Sequence, residues 1–445
     1  MKSSRRLLAA VAAVAALLGG LASAEPLAIT DVSVVDVEAG RVIPNMTVLI
    51  DDDRIAAVGA DLPIPGDARR ISGRGRFLIP GLWDMHTHHQ GTGEDSLALY
   101  VANGVTGTRD MGSDLDFILP LRERVARGEV AGPRIVAAGP MLDDAPAGYP
   151  WRRRVTTPAE AVQAVSDLRA AGVDFIKVHD HTPRDVYFAV AAEAGRQGLP
   201  FAGHVPATVT VAEAVEAGQA SIEHFANFRV FQECRQTSCP ALYDSLASRG
   251  VWQTPTVAYY QAVPSMLRGE TATPPEYVSP GLAALWRANT QATAPDERML
   301  AALADINVRT LAAIPEMLRH NVGFLAGCDA LVPGFCLHEE LEWFTRAGLT
   351  PAEALRTATT NPAAYLGLEA NEGGVKDGAR ADLVLLDANP LEDIRNTRRI
   401  SAVILRGRLF DRAALDQLLA QSRAAFAAAA ALPEPQGGAQ PGHAH

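Results

Sequence analysis

The stretch GLWDMHTHHQ, residues 81–90, places three histidines within four positions, at 86, 88 and 89. Imidazole nitrogens are common ligands of zinc and related divalent cations. A lone His-x-His is a weak signal, since the same spacing recurs at the C-terminus in GHAH, where His443 and His445 have no comparable neighbours. The motif indicates a metal site only if other segments supply further ligands to the same place.

Further polar residues stand at the ends of apolar segments. Alternate side chains of a strand share a face, so His86 and His88 point together while His89 points away. In FIKVHD the alternation with Ile176 and Val178 directs Lys177 inward. Three other segments end in a candidate ligand: His204 in AGHV, His224 in IEHF on the face of Ala220 and Ile222, and Asp329 in AGCD on the face of Leu325.

Four imidazoles and a carboxylate at one place would suit a divalent cation such as zinc with water in an open position. Bound water then becomes a nucleophile near neutral pH. Lys177 does not fit this set as it stands, because an ammonium group has no lone pair to offer a cation.

Strand-like segments alternate with helical patterns through the middle of the chain. They lie at 81–88, 104–110, 133–139, 173–179, 200–205, 219–225, 251–257 and 322–329. Eight strands alternating with helices predict an α/β fold, a (β/α)8 TIM barrel. Active sites of such barrels lie at the carboxyl ends of the strands, where the candidate ligands stand.

Alternating, β-branched segments flank this region on both sides and predict a small β-sandwich domain built from both termini. The predicted organisation is therefore a signal peptide at 1–24, sandwich strands at 25–80, the (β/α)8 barrel with the candidate metal ligands at 81–368, further sandwich strands at 369–415, and a helix with a disordered tail at 416–445.

The first residues have the pattern of an export signal. Lys2, Arg5 and Arg6 precede a run of small apolar residues that ends in Ala-Ser-Ala, which predicts cleavage after Ala24. We therefore expect a periplasmic or secreted protein. The alternative is an uncleaved membrane anchor at the same segment.

The formal net charge is −11 for the whole chain. Removal of the three positive charges of residues 1–24 takes it to −14. An acidic surface without a basic stripe argues against nucleic acid and anionic membranes as partners. The expected partner is a small molecule, and the sequence leaves open whether the chain forms a homo-oligomer.

The chain has four cysteines. Cys234 and Cys239 lie in one polar loop and either close a small disulfide or remain free thiols. Cys328, next to Asp329, has the surroundings of a packed small residue rather than those of a nucleophile.

The ordered set DMHTHH, FIKVHD, GHV, IEHF and GCDA, with the downstream LTPAEALRTATTNPAAYLGL and GARADLVLLDANPL, resembles the amidohydrolase superfamily. Within it the chain is similar to the imidazolonepropionase-like and metal-dependent prolidase-like branch, which includes dipeptidases acting on Xaa-Pro or other C-terminal residues and ochratoxin-hydrolysing amidohydrolases. The resemblance covers nearly all of the chain after residue 24.

This resemblance implies a binuclear zinc centre. His86, His88 and Asp329 would bind the more buried metal, and His204 and His224 the other. Lys177 as N6-carboxylysine, together with a hydroxide, would bridge the two ions, which removes the difficulty posed by an ammonium group. Asp329 would also act as the catalytic base.

The expected function is zinc-dependent hydrolysis of amide or peptide bonds in dipeptides, N-acyl amino acids or ochratoxin-type amides. Substrate contacts are expected from the loops: Tyr259 or Tyr260 for the scissile carbonyl or a carboxylate, Arg229 and the run Arg152–Arg154, with Arg153 at its centre, for a carboxylate, and His181 beside the lysine strand. Each has an alternative as packing or solvated surface.

Two other functions stay open at this point. One is a mononuclear zinc deaminase or cyclic-amide hydrolase of the same superfamily, against which the bridging lysine argues. The other is a non-catalytic barrel that binds a small molecule, against which the complete set of ligands argues.

Overall fold

The computed structural model describes residues 25–145, 151–225, 239–270, 274–292 and 297–431. Its strands are β1 (Leu27–Asp36), β2 (Arg41–Asp51), β3 (Arg54–Gly59), β4 (Arg69–Ser72), β5 (Phe77–Pro80), β6 (Leu82–Thr87), β7 (Val105–Asp110), β8 (Arg134–Ala137), β9 (Met141–Asp143), β10 (Arg152–Arg154), β11 (Ile176–Val178), β12 (Phe201–Gly203), β13 (Ser221–Glu223), β14 (Trp252–Thr254), β15 (Leu383–Leu386), β16 (Ile400–Leu405) and β17 (Arg408–Asp411).

Helices separate most of the central strands. They are α1 (His89–Thr92), α2 (Leu97–Ala102), α3 (Leu115–Ala126), α4 (Pro158–Ala171), α5 (Arg184–Gln197), α6 (Val211–Glu216), α7 (Pro240–Ser248), α8 (Val257–Leu267), α9 (Pro280–Ala292), α10 (Glu297–Arg319), α11 (Phe335–Arg346), α12 (Pro351–Thr357), α13 (Thr360–Tyr365) and α14 (Arg412–Ala430), with short 3₁₀ turns at Glu94–Ser96, Pro275–Tyr277 and Ile394–Arg398.

Strands from the two ends of the chain form one sheet, in the order β17-β16-β15-β5-β1-β2-β3 with β4 on β1. The predicted contribution of both termini is therefore present, but the strands are joined in a single sheet rather than in two. The reason is that β5 pairs parallel with β1 and antiparallel with β15, which connects the two groups. Alternate residues of these strands enclose a hydrophobic cluster of their own.

The central strands form two parallel sheets, β6-β7-β8 and β10-β9-β11-β12-β13-β14. Backbone hydrogen bonds extend this arrangement at the segment 323–329. Gln253 on β14 donates to Gly323 (2.9 Å), and Met85 on β6 donates to Ala326 (2.8 Å). The segment thus lies between β14 and β6, and the predicted α/β class with parallel strands is confirmed.

Side-chain alternation directs successive residues of the parallel strands into two different clusters, an outer one against the helices and an inner one. On β11, Ile176 and Val178 pack in the outer core against the helices, whereas Phe175 belongs to an inner cluster with Ala202 and Leu325. This confirms the alternation that directs Lys177 inward. Helix α4 begins with the predicted capping box, in which the Thr157 side chain accepts from the backbone of Glu160.

Cys328 and Cys336 form a disulfide, which corrects the expectation that Cys328 is only a packed small residue. The two positions lie eight residues apart across a turn, and their proximity follows from how α11 folds back on the end of segment 323–329. Cys234 lies outside the described residues, and so does the predicted bridge to Cys239. The predicted signal peptide at 1–24 also lies outside them. Within the described part of the chain, no helix is long and apolar enough to cross a membrane.

Candidate metal centre

The carboxylate of Asp329 lies among the ε nitrogens of three histidines. The Nε2 atoms of His86 and His88 are 3.9 and 3.6 Å from Oδ1, and that of His224 is 3.6 Å from Oδ2. All four side chains are buried. The ends of β6, of β13 and of segment 323–329 bring them together, so residues far apart in sequence meet at one place.

The δ nitrogens of His86 and His88 are held by acceptors outside this cluster. His86 Nδ1 is 2.8 Å from Oε2 of Glu223, and His88 Nδ1 is 3.2 Å from the carbonyl oxygen of Gly112. Because a carboxylate and a carbonyl can only accept, the δ nitrogens carry the protons. The ε nitrogens of both rings therefore present lone pairs towards Asp329.

His224 has the same orientation by a different route. Its Nδ1 is 2.6 Å from Oγ1 of Thr256, and that hydroxyl donates its own hydrogen to the carbonyl oxygen of Pro255 at 2.8 Å. The hydroxyl is thus left to accept from Nδ1, and the Nε2 lone pair of His224 also faces Asp329. Hydrogen bonds of this kind to the second ring nitrogen are what orients metal-ligating histidines.

These four side chains fit a divalent cation. Nitrogen–oxygen separations of 3.6–3.9 Å are too long for hydrogen bonds. Two ligand atoms bound to one zinc ion lie roughly 3.4 Å apart at a tetrahedral angle. Within the described residues, His86 Nε2 is buried and makes no hydrogen bond. Burial also lowers the pKa of His88 to about 3, which keeps this imidazole neutral as a ligand must be.

Lys177 is buried, with 1% of its surface exposed. Burial lowers the pKa of its amine to about 8, against the opposing effect of the Glu223 and Asp329 carboxylates. Gly203 on the neighbouring strand packs closely against this part of β11, since a Cβ there would lie 2.1 Å from the carbonyl oxygen of Val178 and 3.0 Å from Lys177 Cδ. The Lys177 side chain therefore lies in the interior, as the sequence predicts, and close enough to Glu223 and Asp329 to feel their charges.

His204 lies beside the cluster and has a separate set of neighbours. Its ring centroid is 4.9 Å from that of His224 and 4.1 Å from that of His179, and its Nδ1 is 3.0 Å from Oδ1 of Asp180. By distance, His224 groups with His86 and Asp329, while His204 groups with His179 and Asp180. The structure thus brings His179 and Asp180 close to a predicted ligand.

The backbone takes left-handed conformations at several of these strand ends. His224, Thr256 and Asp329 have φ values of 55°, 48° and 58°. For His224 this corrects the parity argument from sequence. Glu223, not Ile222, shares the interior with His224, because the chain leaves the strand conformation at the histidine and the alternation no longer applies. Non-glycine residues in this region are strained and concentrate at functional sites.

A buried ion pair between Arg109 and Glu223 lies behind His86, on the side of its δ nitrogen. The sequence did not predict it. Both oxygens of Glu223 accept from Nη2 of Arg109, at 2.9 and 3.1 Å, and both side chains have no exposed surface. Burial alone would raise the pKa of Glu223, but Arg109, His86 and Lys177 together lower it below its ordinary value. The arginine in GVTGTRD and the glutamate in IEHF were visible as charged residues within apolar strands, which is the signal that could have found them.

A second missed carboxylate links the two strands that carry the cluster. Oδ1 of Asp84 accepts from the backbone N–H of His86 (3.2 Å) and from that of Cys328 (3.0 Å). Asp84 therefore ties the first histidine to the residue preceding Asp329. Its position two residues before His86 was the available signal.

The tyrosines predicted to contact substrate lie close to the cluster. Tyr260, in the first turns of α8, has its ring 5.6 Å from that of His224, and the rings of Tyr259 and Tyr260 are 5.3 Å apart. Both tyrosines are buried. The Asp329 carboxylate contributes, after burial, to raising the pKa of each phenol, so both remain hydrogen-bond donors.

The predicted carboxylate anchors fall in different places. Arg153 forms a surface ion pair with Asp167 (2.6 Å), and Arg229 lies outside the described residues. Arg152 instead packs inward, with Nη2 3.2 Å from His179 Nε2 and 5% of its side chain exposed. His181 is half exposed.

Arg152, His179 and His181 surround one buried carboxylate. The Oδ2 atom of Asp143 lies 3.4 Å from Arg152 Nε, 3.5 Å from His179 Nδ1 and 3.4 Å from His181 Nδ1. Because the His179 ring also stacks on His204, this group adjoins the predicted metal ligands.

Comparison with known proteins identifies the family. The model of the amidohydrolase family matches residues 77–410. The chain belongs to the amidohydrolase family. This amidohydrolase is 26% identical to ochratoxinase from Aspergillus niger, over 82% of each chain, and 26% identical to imidazolonepropionase from Rubrobacter xylanophilus, over 77% of this chain and 84% of that protein. A putative prolidase from Bifidobacterium longum has a similar structure, with a TM-score of 0.72, 25% identity, and coverage of 90% of this chain and 100% of that one.

The predicted resemblance is thereby confirmed, including its ochratoxinase-like and prolidase-like branch. The amidohydrolase is a hydrolase that acts on C–N bonds, as the sequence predicts. Its fold neighbours also imply a TIM barrel with a small additional domain. Divalent metals are common in the family, and the clusters of histidine and aspartate described above could hold them.

Proposed function

We propose that this amidohydrolase is an exported enzyme that cleaves amide or peptide bonds of small substrates with two zinc ions. Dipeptides, N-acyl amino acids and ochratoxin-type amides are the substrate class. One observation carries the proposal: three buried histidines, each with its δ nitrogen held by an acceptor, direct ε nitrogens at Asp329. The similarity to ochratoxinase and to a putative prolidase supports the substrate class.

Six residues would hold the two ions. They are His86, His88, Lys177, His204, His224 and Asp329, with Lys177 in its carboxylated form. Zinc held by such ligands lowers the pKa of water and polarises a carbonyl. We further infer that the parallel strands form a closed (β/α)8 barrel, since the hydrogen bonds of segment 323–329 reach both β14 and β6.

Asp329 is the residue that moves the proton. Its carboxylate accepts a proton from the water that attacks the carbonyl carbon, and it then delivers that proton to the nitrogen of the leaving amine as the C–N bond breaks. The left-handed backbone of Asp329 and the hydrogen bond from its N–H to the carbonyl oxygen of His86 (2.7 Å) hold the carboxylate in place for both transfers.

Tyr260 donates its phenolic hydrogen to the oxygen of the scissile carbonyl, where negative charge develops. The support is its buried position beside His224 and the raised pKa, which keeps the hydroxyl protonated. A donor aimed at this oxygen in a site shielded from water stabilises the transition state more than the substrate.

Arg152 binds a carboxylate of the substrate. It adjoins His179, which stacks on His204, so a carboxylate bound there lies near the reacting carbonyl. Asp143 orients the guanidinium from behind. Planar guanidinium groups recognise carboxylates by paired hydrogen bonds.

Zinc content and hydrolysis of an amide panel test the proposal. The chain without residues 1–24 is expected to bind two zinc ions and to cleave members of a panel of C-terminal dipeptides, N-acyl amino acids and ochratoxin-type amides. The Asp329→Asn variant should lose at least about 1,000-fold in kcat, whereas Asp167→Asn at the surface serves as the matched control. One zinc ion per chain would contradict the binuclear centre, and an active Asp329→Asn variant would contradict the mechanism.

Paired substrates test the carboxylate anchor. Arg152→Met should raise KM for an N-acyl amino acid about tenfold or more and leave KM for the corresponding uncharged amide nearly unchanged. Arg153→Met, which removes the neighbouring surface arginine, is the matched control. Equal effects of Arg152→Met on both substrates would exclude this role. N-terminal sequencing of the protein recovered outside the cytoplasm, expected to begin at Glu25, tests export.

A further inference from the structure

Helix α11 contacts two parts of the site at once. Its first contact is the disulfide from Cys336 to Cys328, the residue directly before Asp329. Both cysteines are buried, with 2% and 1% of their surface exposed. The start of α11 is therefore covalently attached to the end of the segment that carries the proposed base.

The second contact is made one turn further along the same helix. Glu340 is fully buried, and its two carboxylate oxygens accept from the backbone N–H groups of Val257 (3.0 Å) and Ala258 (2.6 Å). These are the first two residues of α8. Both oxygens of the carboxylate are thus used to hold one end of another helix.

The start of α8 needs such a partner. The first N–H groups of a helix have no acceptor within the helix, and the residue before α8, Thr256, makes no side-chain capping hydrogen bond. Its hydroxyl contacts His224 and Pro255 instead. Glu340 replaces the missing cap from outside the helix, because each of its carboxyl oxygens accepts one of these N–H groups.

The geometry of α11 connects the two contacts. Cys336 and Glu340 are four residues apart, which places them on one face of the helix about 6 Å apart along its axis. One face of α11 is therefore attached to Cys328, which directly precedes Asp329, and to Ala258, which directly precedes Tyr259 and Tyr260.

We propose that Glu340 is a positioning residue, which acts through α8 to set the hydroxyl of Tyr260 relative to Asp329. Its two carboxyl oxygens both contact α8, so its effect on the reaction passes through that helix. The proposal rests on the proposed function in that Tyr260 is taken to donate to the scissile carbonyl. The disulfide keeps the start of α11 next to Asp329. Glu340 can therefore hold α8 at a constant distance from Asp329 when substrate binds to Tyr260.

A double-mutant cycle on kcat/KM tests whether Glu340 acts through the tyrosine. Glu340→Gln keeps the size of the side chain but replaces one acceptor oxygen by a donor. It should lower kcat/KM about ten- to a hundredfold, because small displacements of catalytic groups have effects of this size. In the Tyr260→Phe background the same substitution should lower kcat/KM by a further factor of less than about three.

Glu339→Gln is the matched control, since Glu339 is the neighbouring glutamate of α11 and has no contact with α8 among the described hydrogen bonds. It should leave kcat/KM unchanged in both backgrounds. Equal fold losses from Glu340→Gln with and without the Tyr260 hydroxyl, or no loss at all, would overturn the proposal. If Glu340→Gln does not fold, Glu340→Asp gives the same comparison, since it withdraws the carboxylate by one methylene group.

Hydrogen exchange separates failure of this inference from failure of the proposed function. The Val257 and Ala258 amides should exchange at least about tenfold faster in Glu340→Gln than in the unaltered protein, whatever the enzyme cleaves. If exchange rises but the kinetic effects are additive, the positioning role is wrong and amide hydrolysis stands. If the panel shows no hydrolysis, the proposed function fails, and unchanged exchange would show separately that Glu340 does not hold α8.

Discussion

Replacement of Arg109 by methionine tests the buried ion pair beneath His86. The guanidinium makes hydrogen bonds in several directions and has no exposed surface. Its acceptors are the Met85 carbonyl (2.7 Å), the Ser221 hydroxyl (2.8 Å), the Tyr365 hydroxyl (2.9 Å), the Thr254 hydroxyl (3.1 Å) and both oxygens of Glu223 (2.9 and 3.1 Å).

The expected loss of unfolding free energy follows from the charge that remains. Arg109→Met preserves much of the side-chain volume but leaves the Glu223 carboxylate buried without its cation. Breaking a buried pair from one side costs about 3–5 kcal/mol. In Arg109→Met/Glu223→Gln no full charge is left behind, so the double variant should be more stable than the sum of the single effects predicts, by about 2 kcal/mol.

Urea unfolding of the metal-free proteins measures these differences, because zinc would otherwise stabilise each variant according to its own affinity. Arg309→Met removes an exposed i,i+4 pair with Asp305 and should cost no more than about 0.5 kcal/mol. Since Glu223 holds Nδ1 of His86, zinc content should also fall in Arg109→Met. A cost of Arg109→Met below about 1 kcal/mol, or strict additivity in the double variant, would refute the reasoning.

Three further outcomes are expected. A Cβ on Gly327 would lie 2.7 Å from that of His86, so Gly327→Ala should cost about 1–3 kcal/mol and lower zinc content by metal analysis, whereas Gly66→Ala, which meets nothing within 4 Å, should change neither. Burial lowers the pKa of His338 from 6.5 to about 3, so its contribution to stability is complete above pH 6.5 and is lost as the pH falls towards 3. The free energy of unfolding of His338→Gln should therefore decline less steeply between pH 6.5 and 4 than that of the unaltered protein, by about 1.4 kcal/mol per pH unit. Parallel declines of the two proteins would contradict this. Chelation should abolish hydrolysis, and restoration by zinc should be faster with bicarbonate because the proposed centre requires Lys177 in its carboxylated form; an equal rate without bicarbonate would argue against the carbamate.

Local pattern was sufficient for the inward position of Lys177 and for the class of fold. The alternation of Ile176 and Val178 around Lys177 places that lysine inside, and the structure agrees because a regular strand repeats every two residues. The same argument failed at His224, where φ is 55° and the strand repeat has already ended. Periodicity therefore predicts the direction of a side chain within a strand, but not that of the first residue after the strand.

Contacts between distant segments could not be obtained in this way. Arg109 and Glu223 are 114 residues apart, and each by itself is only a charged residue in an apolar strand. Likewise, nothing near Glu340 in the sequence indicates that it holds the first turn of α8, 82 residues earlier. Such pairs depend on how strands and helices are arranged around the core.

The sequence by itself determined which residues could bind metal and at which strand ends they stand, because residue type and two-residue periodicity are local properties. Only the tertiary structure decided which nitrogen of each imidazole faces Asp329, because that depends on Glu223, Gly112 and Thr256, acceptors supplied by other strands and loops. A lone pair is directed by the hydrogen bond on the opposite side of the ring, and that partner is chosen by packing across the whole fold.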